Sequence, residues 1–310
     1  MGQSIRKRFR HCARYGESSA FAQVSYFPYK KTSAPAKRQR KYQVSTPRQR
    51  NLNNKRSIRY LEALIHSNFK EGDFHLSLSY DEAHRPRDEK DAKRIFGNFI
   101  DRVNYRLKKL GLPNAKWVCV NEQGKNGRIH HHVIISCGLD RDTLESVWKC
   151  GFANTKRLQP DSQLGLLKLV HYIAKECKTT DRPKSTRKWD SSQNLIKPWD
   201  TVNDNPRMMS KKKYHTMQEL PEDCAQMREI IEKDNPGYEL ISVEKEYRED
   251  ISGWYFFCRL RLSASKPRKR KTKTANVKNK NVNIKKKGKE RAARSGDTRA
   301  KPPPADKGPP

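Results

Sequence analysis

The sequence predicts an α+β fold, an antiparallel sheet with helices packed on it, held between basic ends that stay disordered. Three observations lead there. Segments with a two-residue apolar period alternate with segments whose apolar residues recur every three to four positions. A loop rich in Gly and Asn, QGKNG at 123–127, joins two strand-like segments as a hairpin. Charge gathers at the two ends of the chain: residues 1–56 carry 15 basic and 1 acidic side chains and residues 264–310 carry 17 and 3, leaving +6 for 57–263.

The total matters too. With 68 Lys and Arg against 34 Asp and Glu, the 310 residues carry a formal net charge of +34. That is far too basic for an ordinary metabolic enzyme, and it implies a polyanionic partner, nucleic acid first. The C-terminal stretch has little apolar surface to bury and many Lys and Pro residues, the composition of an unfolded electrostatic tether. The N-terminal stretch has more aromatic residues, as in SYFPYKK at 25–31, so partial ordering is expected there.

The elements follow in order. FHLSLSY (74–80) alternates apolar and polar residues as a half-buried strand does. Ile95, Phe96, Phe99, Ile100, Val103, Leu107 and Leu110 form the stripe of an amphipathic helix from about Asp88, ended by Gly111 and Pro113. LPNAKWVCVNE leads into a second strand, the hairpin turn follows, and RIHHHVIIS is the third strand. GLDRDTLESVWKCG reads as a short helix capped by Asp140 or Asp142 and stopped by Gly151. FANTKRLQ is a fourth strand, and DSQLGLLKLVHYIAKECK a helix from about Asp161 or Ser162 to Lys178. A loose polar stretch (179–216) precedes a helix near 221–233 and the hairpin YELISVEKEY to GWYFFCRLRL. The domains expected are therefore a mostly flexible basic arm (1–56), a core (57–180), a C-terminal extension (181–263) and a basic tail (264–310).

No apolar run reaches the ~18 residues of a membrane span, and the N-terminus lacks a secretory apolar stretch. A soluble, intracellular protein without a membrane partner is expected. The seven cysteines are scattered without a C-x-x-C pair, which argues against both a disulfide framework and a zinc-thiolate site.

Three histidines at the start of a buried strand need a reason. Side chains i and i+2 share one face of a strand, so His130 and His132 converge while His131 points the other way. Two imidazoles one strand step apart make half of a divalent-metal site. A solvated strand face would show the same pattern. Glu122 is a candidate third ligand through the hairpin: with Gln123 to Gly127 as the loop it stands opposite Arg128, diagonal to His130 on the same face, whereas a loop one residue shorter turns it away. Two imidazoles and a carboxylate suit Mn²⁺ or Mg²⁺. On the 162–178 helix, Leu166, Leu167, Val170, Ile173, Ala174 and Cys177 form the apolar stripe, and Lys168, Tyr172 and Lys175 cluster on the opposite side. A tyrosine between two lysines suits attack on a phosphate, and a solvent-facing helix with an incidental tyrosine has the same spacing.

FHLSLSY, NEQGKNGRIHHHVIIS with its H-x-H core and the Tyr-x-x-Lys of HYIAK resemble, in order, the three motifs of HUH endonucleases. FGNFIDRVNYRLKKLG and WKCGF add a closer similarity to bacterial plasmid and phage rolling-circle replication initiators. The resemblance covers about residues 70–178 and extends more weakly, through SSQNLIKP and the last hairpin, to about 262. The family usually has a hydrophobic residue where this chain has His131. The resemblance implies a ferredoxin- or RRM-like core and metal-dependent, site-specific nicking and rejoining of a DNA strand through a 5′-phosphotyrosine. It further implies Tyr172 as nucleophile, Lys175 as the motif lysine, His130 and His132 as ligands and Glu122 as the third; Lys168 and Arg128 are candidate DNA contacts. Single-stranded or origin DNA and host replication machinery are the implied partners, in the cytoplasm of a bacterial host. Tyr105-x-x-Lys108 fits the same short pattern, and its tyrosine precedes the histidines as in the related relaxases. A relaxase or transposase of the same chemistry, or a non-catalytic basic nucleic-acid-binding protein, are the other functions open to the sequence.

Overall fold

The computed structural model describes residues 4–17, 19–29, 46–124, 127–175, 189–205 and 209–263. The basic tail at 264–310 lies outside them, as do 30–45 and 176–188. Among the described residues, ten strands and six helices form two five-stranded sheets in which every pairing is antiparallel.

One sheet gathers both ends of the chain. Its strands are β1 (Ser4–His11), β2 (Phe21–Tyr29), β8 (Trp199–Asn203), β9 (Tyr238–Arg248) and β10 (Gly253–Leu262), in the order β8-β1-β2-β10-β9. The expected flexible arm and the expected C-terminal extension thus belong to a single structural unit, which corrects the division at 56 and 181. The arm was misread because of its alternation: Arg6, Arg8 and Arg10 occupy one face of β1, and Ile5 and Phe9 the other. A strand with a cationic face looks like solvated chain. The apolar face of this sheet (Val24, Tyr26, Phe256, Cys258, Leu260) is covered by α5 (Lys211–Glu219) and α6 (Ala225–Asp234) through Tyr214, Met217, Met227 and Ile231. Lys7 and Tyr26, from β1 and β2, both reach Asp234 inside this core, at 2.7 Å and 2.6 Å.

The other sheet holds the motifs, in the order β6-β3-β5-β4-β7. Its strands are β3 (Phe74–Leu78), β4 (Lys116–Gln123), β5 (Ile129–Ser136), β6 (Ala153–Arg157) and β7 (Trp189–Ser191). On one face, α2 (Glu89–Lys109) and α3 (Arg141–Val147) pack Phe96, Phe99, Val103, Leu107, Leu144 and Val147 onto Leu76, Leu78, Cys119, Val133 and Ile135. Asp88 caps α2, accepting from the Asp91 amide at 2.7 Å, and the helix ends before Gly111, whose φ of +68° suits glycine.

On the opposite face lie α1 (Pro47–Asn68) and α4 (Leu167–Ile173), whose Leu61, Leu64, Ile65, Val170 and Ile173 meet Val118, Val120 and Ile134. Pro at the first helical position and Thr46, accepting from the Gln49 amide, start α1. Another side of α1 meets the first sheet: Arg259 of β10 donates to both oxygens of Glu62 at 2.9 and 3.0 Å. Helix α4 is shorter than expected at its start. Residues Asp161 to Gly165 close on themselves through two backbone hydrogen bonds, with Gly165 at φ +56°, so helical geometry begins only afterwards. The expected continuation to Lys178 lies outside the described residues.

Candidate active site on the motif-bearing sheet

The β4–β5 hairpin sets the register. The Gly124 amide donates to the Arg128 carbonyl at 2.8 Å, Gly127 turns the chain with φ +71°, and Gln123 pairs with Ile129. Glu122 therefore faces His130 directly, not Arg128. The expected pairing was off by two residues, an even shift that leaves Glu122 on the same face as His130 and His132.

That face carries the site. His132 Nε2 lies 2.6 Å from Glu122 Oε2. Its Nδ1 lies 3.4 Å from Nε2 of His75, which comes from β3. The Tyr172 ring, on α4, stands edge-on to His132 with centroids 5.4 Å apart and edge-on to His75 at 6.4 Å. His132 is 7% exposed and Tyr172 60% exposed, so the imidazole is fixed by packing while the phenol is open to a ligand. Leu167, Val170 and Ile173 bury the inner side of α4, while Lys168, Tyr172 and, just beyond the helix, Lys175 face outward.

The opposite face of the same strand has a different chemistry. His131 is fully buried beneath α2; its Nδ1 is 2.8 Å from Asn121 Oδ1 and its Nε2 is 2.5 Å from the Tyr80 hydroxyl. Asn121 Oδ1 only accepts, so Nδ1 carries the proton and Tyr80 donates to Nε2. Burial, reinforced by the neighbouring histidines, holds the His131 pKa down to about 3. Burial and His132 likewise lower that of His75 to about 4. Tyr105 belongs to α2, so it is on the His131 side of the sheet, away from His132.

The other expected residues are placed as follows. Lys168 is engaged by Asp161 at 2.8 Å, a contact that pulls the Asp161 pKa well down. Arg128 pairs with Glu82 at 2.5 Å, tying the hairpin to the loop after β3. Lys156 of β6, opposite His75 in register, adds an exposed cation on the site face. Its alternation with Asn154 in FANTKRLQ was visible, but only the β3–β6 pairing puts it beside the histidines.

Imidazoles and a carboxylate, with no thiolate, form a donor set that suits a hard divalent cation. Donors about 2.1 Å from one ion at right angles lie about 3 Å apart, so the Glu122–His132 contact needs only a slight opening to admit one. Among the described residues no three His, Cys, Asp or Glu side chains converge as a ligand cluster. His130 is the outlying one. Its ring lies over the hairpin, where a Cβ on Gly124 would stand 3.8 Å from Nε2.

Residues 73–181 match the model of the family described as Replication-associated protein ORF2/G2P. The match spans about a third of the chain and likens this segment to replication-associated proteins. Rolling-circle replication initiators make up that family. The Rep-type match runs from β3 through α4 and stops well short of 262; the first sheet lies outside it. No curated protein and no solved structure matches the chain. No described helix is long and apolar enough to cross a membrane.

Proposed function

We propose that the segment resembling replication-associated proteins is a metal-dependent HUH nickase that initiates rolling-circle replication by cutting and rejoining one DNA strand at an origin. The observation that carries this reading is the exposed Tyr172 hydroxyl-bearing ring held edge-on to His132, which itself meets Glu122. Tyr172 Oη attacks the scissile phosphorus; the new P–O bond forms as the bond to the 3′ oxygen breaks. The phenolic proton leaves to solvent and the 3′ oxygen takes one up, giving a 5′-phosphotyrosine and a free 3′-OH that primes synthesis. The reverse attack by a 3′-OH rejoins the strand without ATP. A Mg²⁺ or Mn²⁺ ion held by His132, Glu122 and His130 would supply positive charge to the phosphate oxygens. Lys156 and Lys175, exposed on the same side, add to it. His75 positions the His132 ring through Nδ1, leaving Nε2 directed at Glu122.

Origin DNA, in extruded or melted form, is the substrate, the bacterial cytoplasm the compartment, and host replication proteins act on the 3′-OH. The test is incubation with circular single-stranded or supercoiled origin DNA and Mn²⁺, followed by denaturing electrophoresis for a nick with protein attached to its 5′ end. A protein that binds DNA tightly yet never forms the adduct is a binder and not a nickase.

A further inference from the structure

The first sheet has a face that the proposed nicking reaction does not use. Between its arginine-bearing side and α1 opens a cleft of about 360 Å³. Its floor is aromatic: Phe27 of β2 stacks on Tyr255 of β10 with centroids 5.5 Å apart, and Phe257 lies next to them. Tyr60 of α1 forms a wall.

Five arginines line the same cleft, and they fall into two groups. Arg10, Arg59 and Arg248 are held by Asp200, Glu244 and Asp250 respectively, which fixes them over the rings. Arg59 sits 3.9 Å from the Phe257 centroid and Arg10 5.6 Å from that of Tyr60. Arg8, half-buried, and Arg56, exposed, make no direct ion pair among the described residues, and Asp250, already held by Arg248, is the carboxylate of the lining that Arg56 senses. Five guanidinium groups against the single lining carboxylate of Asp250 leave the recess cationic, a setting that an entering anion relieves.

We propose that this cleft binds a stretch of single-stranded DNA, with Arg8 and Arg56 on its phosphates and Tyr60 and Tyr255 against its bases. This rests on the reading of the chain as a DNA-processing protein. Cations set among aromatic rings on an open sheet favour a flexible strand with accessible bases over a stacked duplex. A segment of this chain is a poor occupant. The stretch that joins β2 to α1, residues 30–45, has six basic residues and no acidic one, the same sign as the cleft. Helix α1 connects the two regions, lining the cleft with Arg56, Arg59 and Tyr60 while Leu61, Leu64 and Ile65 share a core with α4, the helix of Tyr172. One strand could then be held by the first sheet and cut at the second.

The test uses the full chain, a labelled single-stranded oligonucleotide of about 30 nucleotides and its duplex form. Arg8→Glu with Arg56→Glu is expected to weaken single-strand binding about tenfold or more, and to lower the salt slope by about 1.4 for two lost phosphate contacts. Melting should not fall, and the Tyr172 adduct should still form at saturating DNA. Ultraviolet crosslinking of an iododeoxyuridine oligonucleotide should label Tyr60 or Tyr255. Wild-type binding by the double variant, crosslinks confined to other regions, equal loss of duplex binding, or preferential competition by a polyglutamate peptide would each overturn the proposal. The two readings fail separately: without any adduct in the wild type the nickase falls, while an arginine-dependent loss of single-strand binding still upholds the cleft.

Discussion

His131 and His132 are neighbours of one residue type on one strand, yet they live in different chemical settings. His131 lies under α2, locked between Tyr80 and Asn121 and kept neutral by burial. His132 lies under α4, meeting a carboxylate, a second imidazole and the ring of Tyr172. Strand alternation alone separates them. The comparison teaches that a run of three histidines can serve two ends at once: one imidazole closes a buried polar network, while its neighbours equip a surface.

Experiments can break that contrast, and the largest effect is expected at Tyr172. Tyr172→Phe keeps the ring against His132 but removes the attacking oxygen, so both nick and covalent adduct should vanish while DNA binding persists. Tyr105→Phe, on the His131 side of the sheet, should match the wild type in the same gel assay. If the adduct survives in Tyr172→Phe and disappears in Tyr105→Phe, the assignment of faces to roles is reversed.

Next in size is the pair that meets at Nε2. His132→Ala and Glu122→Gln should each reduce divalent-dependent cleavage by a factor of about 100 or more, with only small changes in melting. His131→Ala should do the opposite. It takes the imidazole away from the Tyr80 hydroxyl and from Asn121 Oδ1 in a dry core and opens a void, costing about 2–5 kcal/mol in chemical denaturation. Cleavage per folded molecule should stay within a few-fold of wild type. Equal loss of cleavage in both, with fold intact by circular dichroism, would erase the distinction.

Smaller effects sharpen the picture. His75→Ala removes the Nδ1 contact of His132 and one edge-on neighbour of the Tyr172 ring, and Lys156→Ala a single exposed cation. Each should slow cleavage by about tenfold or less while leaving oligonucleotide affinity within a few-fold. Deleting residues 264–310 should flatten the salt dependence of DNA binding without moving the nick, since phosphate neutralisation reads no base sequence. A shifted cleavage position in the truncated chain would make the tail a reader of sequence.

Much of the second sheet was legible because its signals are local. The α2 stripe, its Asp88 cap and Gly111 stop, the even parity of Glu122 with the histidines and the outward face of α4 all follow from spacing. The exact partner of Glu122 depended on how far β4 runs into the turn, which a glycine-rich loop leaves open. The first sheet was hidden for a different reason. Its pairings join residues from opposite ends of the chain, its β1 strand alternates arginine with apolar residues, and α1 begins in a run of Arg and Asn with no apolar stripe until Ile58. Lys156 and His75 became neighbours only through strand pairing, which no local period encodes.

The pairing of β2 with β10 also has a consequence in time. Ser25 and Tyr255, in hydrogen-bond contact, are 230 residues apart in the chain. On a ribosome the β1–β2 hairpin emerges first and must wait, with its β2 edge unpaired, until nearly the whole folded region has been made. The segment from β3 to α4 has its strands close together in sequence and can close during that wait. Synthesis therefore completes the histidine-bearing sheet before the arginine-bearing one. A chain released early would keep its candidate nicking centre but present an open strand edge, a ready template for aggregation.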